Sequence, residues 1–258
     1  MTKVVILAGG LGTRLREETE FKPKPMVEIG GVPILVHIIK NFLTAGFTDI
    51  IIATGYKGNQ IKEYFYNYDV YTNDLRIDIG GDGNITFLSS KEKTEFTISI
   101  VDTGSTSLTA QRLKKLESII GKEDFICTYG DGLSNVDPRI LLNFHREHGK
   151  IATVTAVKPR SRFGLLSIND SNLVKEFNEK PIMNEWINGG YFCFSNEIFK
   201  YLVGNLALEN EPMSKLVDNS QLMAFKHDGF WYAMDTYREF IELNEIHDRG
   251  ELPWILEK

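Results

Sequence analysis

Two cysteines in 258 residues are too few for a disulfide framework. Cys127 and Cys193 each sit in an apolar, strand-like run, and buried free thiols in a reducing compartment are the expected state. No apolar stretch approaches the ~20 residues that a membrane span requires, and no leader-like segment precedes Val4, so the cytoplasm is the default location. Positive charge is also short: 29 Lys and Arg against 35 Asp and Glu leave a net charge of −6, which argues against a nucleic-acid face. The five histidines have no zinc-ligand spacing, and no serine stands in a nucleophile elbow. With no internal repeat and no linker-like stretch, residues 1–258 are expected to form a single domain.

What the chain does have is concentrated at its start. Val4 to Ala8 is an apolar run suited to one buried strand, and it ends in Gly9-Gly10-Leu11-Gly12-Thr13-Arg14. Three glycines in four positions remove the β-carbons that would keep a ligand off the backbone, so several N–H groups can converge on one anion. Lys22-Pro23-Lys24-Pro25-Met26 follows, with prolines fixing φ on both sides of Lys24. The loop is not a P-loop, because Thr13-Arg14 stands where Lys-Ser/Thr is needed. Nor is it a dinucleotide fingerprint, because a basic segment occupies the place of the ribose-binding acid. A triphosphate cradle with its own cations, Arg14 and Lys24, is the reading.

Further along, apolar runs alternate with helical periodicity. Val27–Gly31 reads as a strand and turn, a helix begins at Pro33, and strand 49–55 and helix 59–66 follow. This order predicts parallel strands with right-handed crossovers. Segments 75–79 and 85–88 flank a Gly-rich turn as a hairpin, with a solvated loop at Ser89–Lys93. A strand at 96–101, a helix at 108–120, strand 125–129 and helix 138–148 come next, then strand 152–157. Beyond Arg162 the pattern changes to successive strands at 165–168, 173–177 and 186–194. Helices at 196–202 and 213–219, strands at 223–226 and 230–232, and a helix at 237–249 end the chain. The expected fold is α/β in one domain, a mainly parallel mixed sheet whose second half carries extra strands.

In such sheets ligands bind beyond the carboxyl ends of the strands. Asp131, in Gly130-Asp131-Gly132 after a strand, therefore belongs on the rim of the glycine loop and suits Mg²⁺, a hard ion that takes oxygen donors. An Asp-Gly pair is also a common turn, and beside the cradle the metal reading is favoured. Asp235 ends an aromatic strand and would complete a metal pair. Thr236 and Glu239 after it match a helix capping box, a role compatible with metal binding at Asp235. In the second half, Lys180 and Glu179 are candidates to hold a sugar phosphate, with Asn188 beside Gly189, and with Gly164 and Gly189 admitting a sugar ring close to the backbone.

The pairing of Gly-Gly-x-Gly-Thr-Arg-Leu with Lys-Pro-Lys-Pro-Met resembles the signature of sugar-1-phosphate nucleotidyltransferases. Val101-Asp102-Thr103-Gly104, Arg112-Leu113-Lys114, Tyr129-Gly130-Asp131-Gly132, Glu179-Lys180-Pro181, Asn188-Gly189-Gly190-Tyr191-Phe192 and Met234-Asp235-Thr236 narrow the resemblance to glucose-1-phosphate cytidylyltransferases. The resemblance implies a three-layer sandwich with a Rossmann-like nucleotide half and a sugar-binding half carrying extra β-strands. It also implies Mg²⁺-dependent conversion of CTP and α-D-glucose 1-phosphate to CDP-glucose and pyrophosphate, in nucleotide-sugar biosynthesis, by a homo-oligomer (tetramer or hexamer). It implies nucleotide contacts at Leu7, Ala8, Gly9, Gly10, Leu11, Gly12, Thr13, Arg14, Lys24, Ser107, Arg112 and Gly130, and metal contacts at Asp131 and Asp235. Ala110-Gln111 stand where small, glycine-rich residues are usual, so dTTP, UTP or GTP, or another hexose 1-phosphate, remain alternatives. A nucleotide-sugar-sensing module without catalysis is the reading from another class. Such a module would be expected to lack a metal carboxylate or the Arg14/Lys24 pair.

Overall fold

The computed structural model describes residues 2–81, 83–88 and 95–256. Its centre is a seven-stranded sheet of β1 (Val4–Ala8), β2 (Asp49–Thr54), β3 (Thr97–Asp102), β4 (Phe125–Tyr129), β5 (Ala152–Val157), β6 (Ile187–Phe194) and β7 (Leu222–His227). The spatial order is β7-β5-β6-β4-β1-β2-β3. Every pairing is parallel except those of β6, which runs antiparallel to both β4 and β5. The mainly parallel mixed sheet expected from the sequence is present.

Every residue of β1 is between 0% and 7% exposed, because helices cover both faces of the sheet. Val4, Ile6 and Ala8 face one core, joined there by Ile38 of α1 (Ile34–Thr44), Ile61 of α2 (Gly58–Tyr66), Leu141 of α4 (Pro138–His148) and Leu243 of α6 (Tyr237–Asp248). Val5 and Leu7 face the other, with Leu113 of α3 (Thr109–Lys114) and Leu216 of α5 (Glu211–Asp218). A strand clamped in this way has no polar alternative at any position. The point from which the glycine loop departs is therefore fixed.

Several local expectations are corrected. Pro33 is not the first helical residue: its ψ of 137° is extended, and it closes a two-residue ladder, Glu28–Ile29 with Val32–Pro33, ahead of α1. The helix expected over 108–120 divides into α3 and a short turn of helix, Glu117–Ile120. Leu113 and Leu116 both enter the core, and Leu116 N donates to Leu113 O three residues back, which tightens the chain between the two pieces. Asn196–Lys200 is a 3₁₀ turn rather than an α-helix. An unexpected helix, Tyr68–Thr72, forms where Tyr64 and Tyr71 stack and Tyr68 packs on Phe65 and Phe96. The hairpin is present as Leu75–Ile77 with Ile85–Phe87. The Ser89–Lys93 loop lies outside the described residues. Cys127 and Cys193 are buried and free.

Candidate active site

Parallel strands put their carboxyl ends on one rim. The glycine loop leaves β1 there and Gly130-Asp131 leaves β4 beside it, while antiparallel β6 brings its first residues, Asn188 among them, to the same edge. Gly12 holds a left-handed φ of 64° and starts a 3₁₀ turn, Thr13–Leu15, which presents Arg14. Thr19 Oγ1 donates to the Gly12 carbonyl at 2.9 Å and fixes the turn from below. Lys24 opens its own 3₁₀ turn, Lys24–Met26, whose Pro25 and Met26 are buried. The turn is therefore anchored by its apolar half, and its ammonium projects from it.

Asp235 arrives from 104 residues further along the chain than Asp131, and a small ladder makes the meeting possible. Trp231–Ala233 pairs antiparallel with Gly132–Ser134, and Met234 N donates to Asp131 O at 2.9 Å. The capping box also forms: Glu239 accepts from the backbone N–H groups of Asp235 and Thr236 at 2.7 and 2.9 Å. The backbone of Asp235 is thus held by the start of α6 while its carboxylate is left for the rim.

Lys24 Nζ lies 2.6 Å from Asp131 Oδ2 and 2.7 Å from Asp235 Oδ1, and Arg14 Nη1 lies 3.0 Å from Asp235 Oδ2. Burial pulls the Lys24 ammonium down, but the charges of Asp131 and Asp235 outweigh it and set the group above the ordinary lysine range. Burial pushes the Asp235 carboxyl up, and Lys24, Arg14 and Arg162 overcome it, holding the carboxyl below the usual carboxylate range. Two basic and two acidic side chains therefore share one knot of ion pairs.

That knot separates two cavities. The first, about 300 Å³, is lined by the whole expected nucleotide set except Leu11, together with Pro25, Leu108, Thr109, Tyr129, Asp131 and Asp235. The second, about 380 Å³, is lined by Asn188, Gly189, Gly190, Tyr191 and Trp231, and shares Arg14, Tyr129, Asp131 and Asp235 with the first. Gly164, Glu179 and Lys180 line neither. They lie on or beside an exposed hairpin, Leu165–Ile168 with Val174–Asn178, and a β-carbon on Gly164 would fall 2.9 Å from Glu179 Oε2. Tyr129, Thr109 and Trp231 were not singled out as site residues. Tyr129 stands inside the quoted Tyr-Gly-Asp-Gly motif, and Trp231 in an aromatic strand, so neither place was hidden.

Arg112 lines the first cavity, but both of its terminal nitrogens donate to the protein. Nη1 donates to Thr54 O, Thr103 Oγ1 and Gly104 O, and Nη2 to Gly9 O, at 2.7–3.0 Å. One guanidinium ties together the loops leaving β1, β2 and β3. A β-carbon on Gly9 would lie 2.2 Å from its Cζ, and one on Gly55 2.5 Å from its Nη1, so both glycines make room for Arg112. Gly10 has open space and is where a ligand can approach the backbone. His145 and His148 meet on the hydroxyl of Thr153 at 2.8 and 2.7 Å, a packing role away from this rim.

A glycine cradle, a cation knot and paired carboxylates between two adjoining cavities define a class. The chain belongs to the nucleotidyl transferase family, which it matches over residues 3–247. It is 45% identical over 256 residues to the glucose-1-phosphate cytidylyltransferase of Salmonella typhimurium, covering 98% of both chains, and equally similar to that of Salmonella typhi. The crystal structure of HddC from Yersinia pseudotuberculosis complexed with GMP-PN shares the fold, with a TM-score of 0.69 at 21% identity, covering 96% of this chain and all of that one.

Proposed function

We propose that residues 1–258 act as one nucleotidyltransferase domain that joins CTP and α-D-glucose 1-phosphate to give CDP-glucose and pyrophosphate. One observation carries the reading: Arg14, Lys24, Asp131 and Asp235 meet at the junction of two cavities, where two substrates would react. The nucleophile is a phosphate oxygen already ionised at neutral pH, so no side chain need remove a proton. The obstacle is repulsion between anions and charge on the leaving pyrophosphate. Catalysis is therefore positioning and electrostatics. The glycine loop N–H groups and Arg14 hold the triphosphate, Lys24 faces the α-phosphate, and the second cavity takes the sugar phosphate near Asn188, Gly189 and Trp231. Lys180 and Glu179, which line neither cavity, would serve the sugar phosphate across solvent.

The donor set suits Mg²⁺. Asp131 and Asp235 are hard oxygen donors already converging on one cation position, the Lys24 ammonium. Among the described residues no group of three or more His, Cys, Asp or Glu could hold a metal, so phosphate and water would complete the shell. Bound there, the ion would neutralise triphosphate charge. No helix among the described residues is long and apolar enough to cross a membrane, and the reading takes the enzyme as cytoplasmic. A homo-oligomer, tetramer or hexamer, is supported by exposed apolar side chains on and beside the 165–178 hairpin, such as Phe163 and Phe177. Pyrophosphate release, measured with each of CTP, dTTP, UTP and GTP against glucose 1-phosphate and Mg²⁺, tests the reading. CTP is expected to exceed the others, and release with none of the four would overturn it.

A further inference from the structure

Glu209 lines neither cavity, yet it touches the walls of both. Its Oε1 accepts the Tyr129 hydroxyl proton, and its Oε2 accepts from Thr109 Oγ1 at 3.1 Å. Tyr129 lines both cavities and Thr109 the nucleotide cavity. The Tyr129 ring has little freedom of its own. Phe192 packs on it edge-to-face at 5.7 Å, and a β-carbon on Gly190 would come within 2.7 Å of its Cδ2. The hydroxyl end is set by its partners, the Glu209 carboxylate and the Asn188 side chain of the second cavity.

The surrounding segment repeats the pattern. Asn205 Oδ1 accepts from Leu108 N at 2.7 Å, its Nδ2 donates to Thr106 O at 3.2 Å, and Leu208 N donates to Thr109 Oγ1 at 2.7 Å. Ala110 N donates to Leu206 O at 3.1 Å. Residues 205–209 are thus stitched to the stretch Ser107 to Thr109, which lines the first cavity and takes no part in the charged knot. Lys115 Nζ adds a hydrogen bond to Ser107 Oγ at 3.1 Å from behind this stretch. The side chains of Thr109 and Tyr129 take their places from hydrogen bonds to Glu209.

The geometry points to Glu209 as a positioning residue for the nucleotide: its carboxylate, shared by Tyr129 and Thr109, sets the cavity wall that seats the part of the nucleotide beyond the triphosphate. The inference rests on the first cavity being the nucleotide site. It makes no demand on the charged knot, so its loss should weaken nucleotide binding and leave the chemical step alone.

The test compares Glu209→Ala, Glu209→Gln, Tyr129→Phe and the double variant Tyr129→Phe/Glu209→Ala in steady-state kinetics, alongside direct calorimetric titration of CTP. Glu209→Ala should raise KM for CTP about tenfold, as expected for loss of a hydrogen bond that fixes the wall, with kcat held within about twofold. KM for glucose 1-phosphate should move less than about threefold, since only Tyr129 reaches that cavity. Glu209→Gln keeps an oxygen for Tyr129 and should recover most of the loss. The double variant should be no worse than the poorer single variant, because both remove the same bond. Unchanged KM and CTP affinity in Glu209→Ala, or additive effects in the double variant, would overturn the proposal. A uniform loss of every parameter with a fallen melting temperature would do the same, because that is the signature of a merely structural role. If wild type binds CTP but releases no pyrophosphate, the reaction assigned above fails, while the titration still decides Glu209.

Discussion

The two ends of the rim are built on different foundations. The nucleotide end begins at β1, buried at every residue and hydrogen-bonded on both sides, so the loop after it can point in few directions. The end proposed for the sugar phosphate takes some of its expected contacts from beside the hairpin Leu165–Ile168 with Val174–Asn178, where every residue is exposed. That hairpin is held at its base by the Arg160↔Ile182 bridge and by Arg162, 2.7 Å from Glu239 of α6. Nearly all the expected nucleotide contacts line a cavity, whereas only Asn188 and Gly189 of the sugar set do, and both belong to β6. A functional group is placed as firmly as its element is packed.

The sharpest way to break that contrast is to damage the charged knot. Lys24→Ala and Asp131→Asn should each lower kcat at least a hundredfold, about 3 kcal/mol of transition-state stabilisation, with the fold retained. Pyrophosphate release together with circular dichroism checks both points. Near wild-type turnover from either variant would remove that residue from the reaction.

Next in size is the tie beneath the loops. Arg112→Met keeps the volume and removes four hydrogen bonds, leaving the carbonyls of Gly9, Thr54 and Gly104 without this donor. The expected cost is ~3 kcal/mol, or roughly 6–12 °C in melting temperature for a chain of this size. An unchanged melting temperature would mean that the nucleotide end is not held by this guanidinium.

Arg112 also shows where sequence reading runs out. Its place in a motif predicted a nucleotide contact, and it does line the cavity, but no pattern tells where five N–H donors will point. The glycine loop, the seven sheet strands and the cap at Thr236 were all legible, because each depends on neighbours within a few residues. The contacts of Lys24 with Asp131 and Asp235 span 107 and 211 residues, and the Gly132–Ser134 and Trp231–Ala233 ladder brings Asp235 beside Asp131. The aromatic strand was readable; its partner was not. The division of the 108–120 helix was equally hidden, since Leu113 and Leu116 fit one continuous helix as well as the two pieces that form.

A smaller effect is expected for metal binding without nucleotide. The ammonium of Lys24 occupies the position on which both carboxylates converge, so a divalent ion must compete with it. Lys24→Met should therefore raise the affinity of the nucleotide-free protein for Mn²⁺ about tenfold, read by electron paramagnetic resonance titration. Equal or weaker binding would show that the ammonium and the ion do not share the site.

The smallest effect is expected at the loosely founded end. Lys180 lines neither cavity and has a left-handed φ of 47° at the foot of the exposed hairpin, so it acts, if the hairpin stays as found, across solvent. Screened charges contribute about 0.2–1 kcal/mol. Lys180→Ala should then raise KM for glucose 1-phosphate by no more than about fivefold, with kcat and KM for CTP unchanged. A hundredfold fall in kcat instead would mean that substrate draws the hairpin down until Lys180 touches the incoming phosphate. The two ends of the rim would then differ only before the sugar arrives: one preset by the core, the other completed by its ligand.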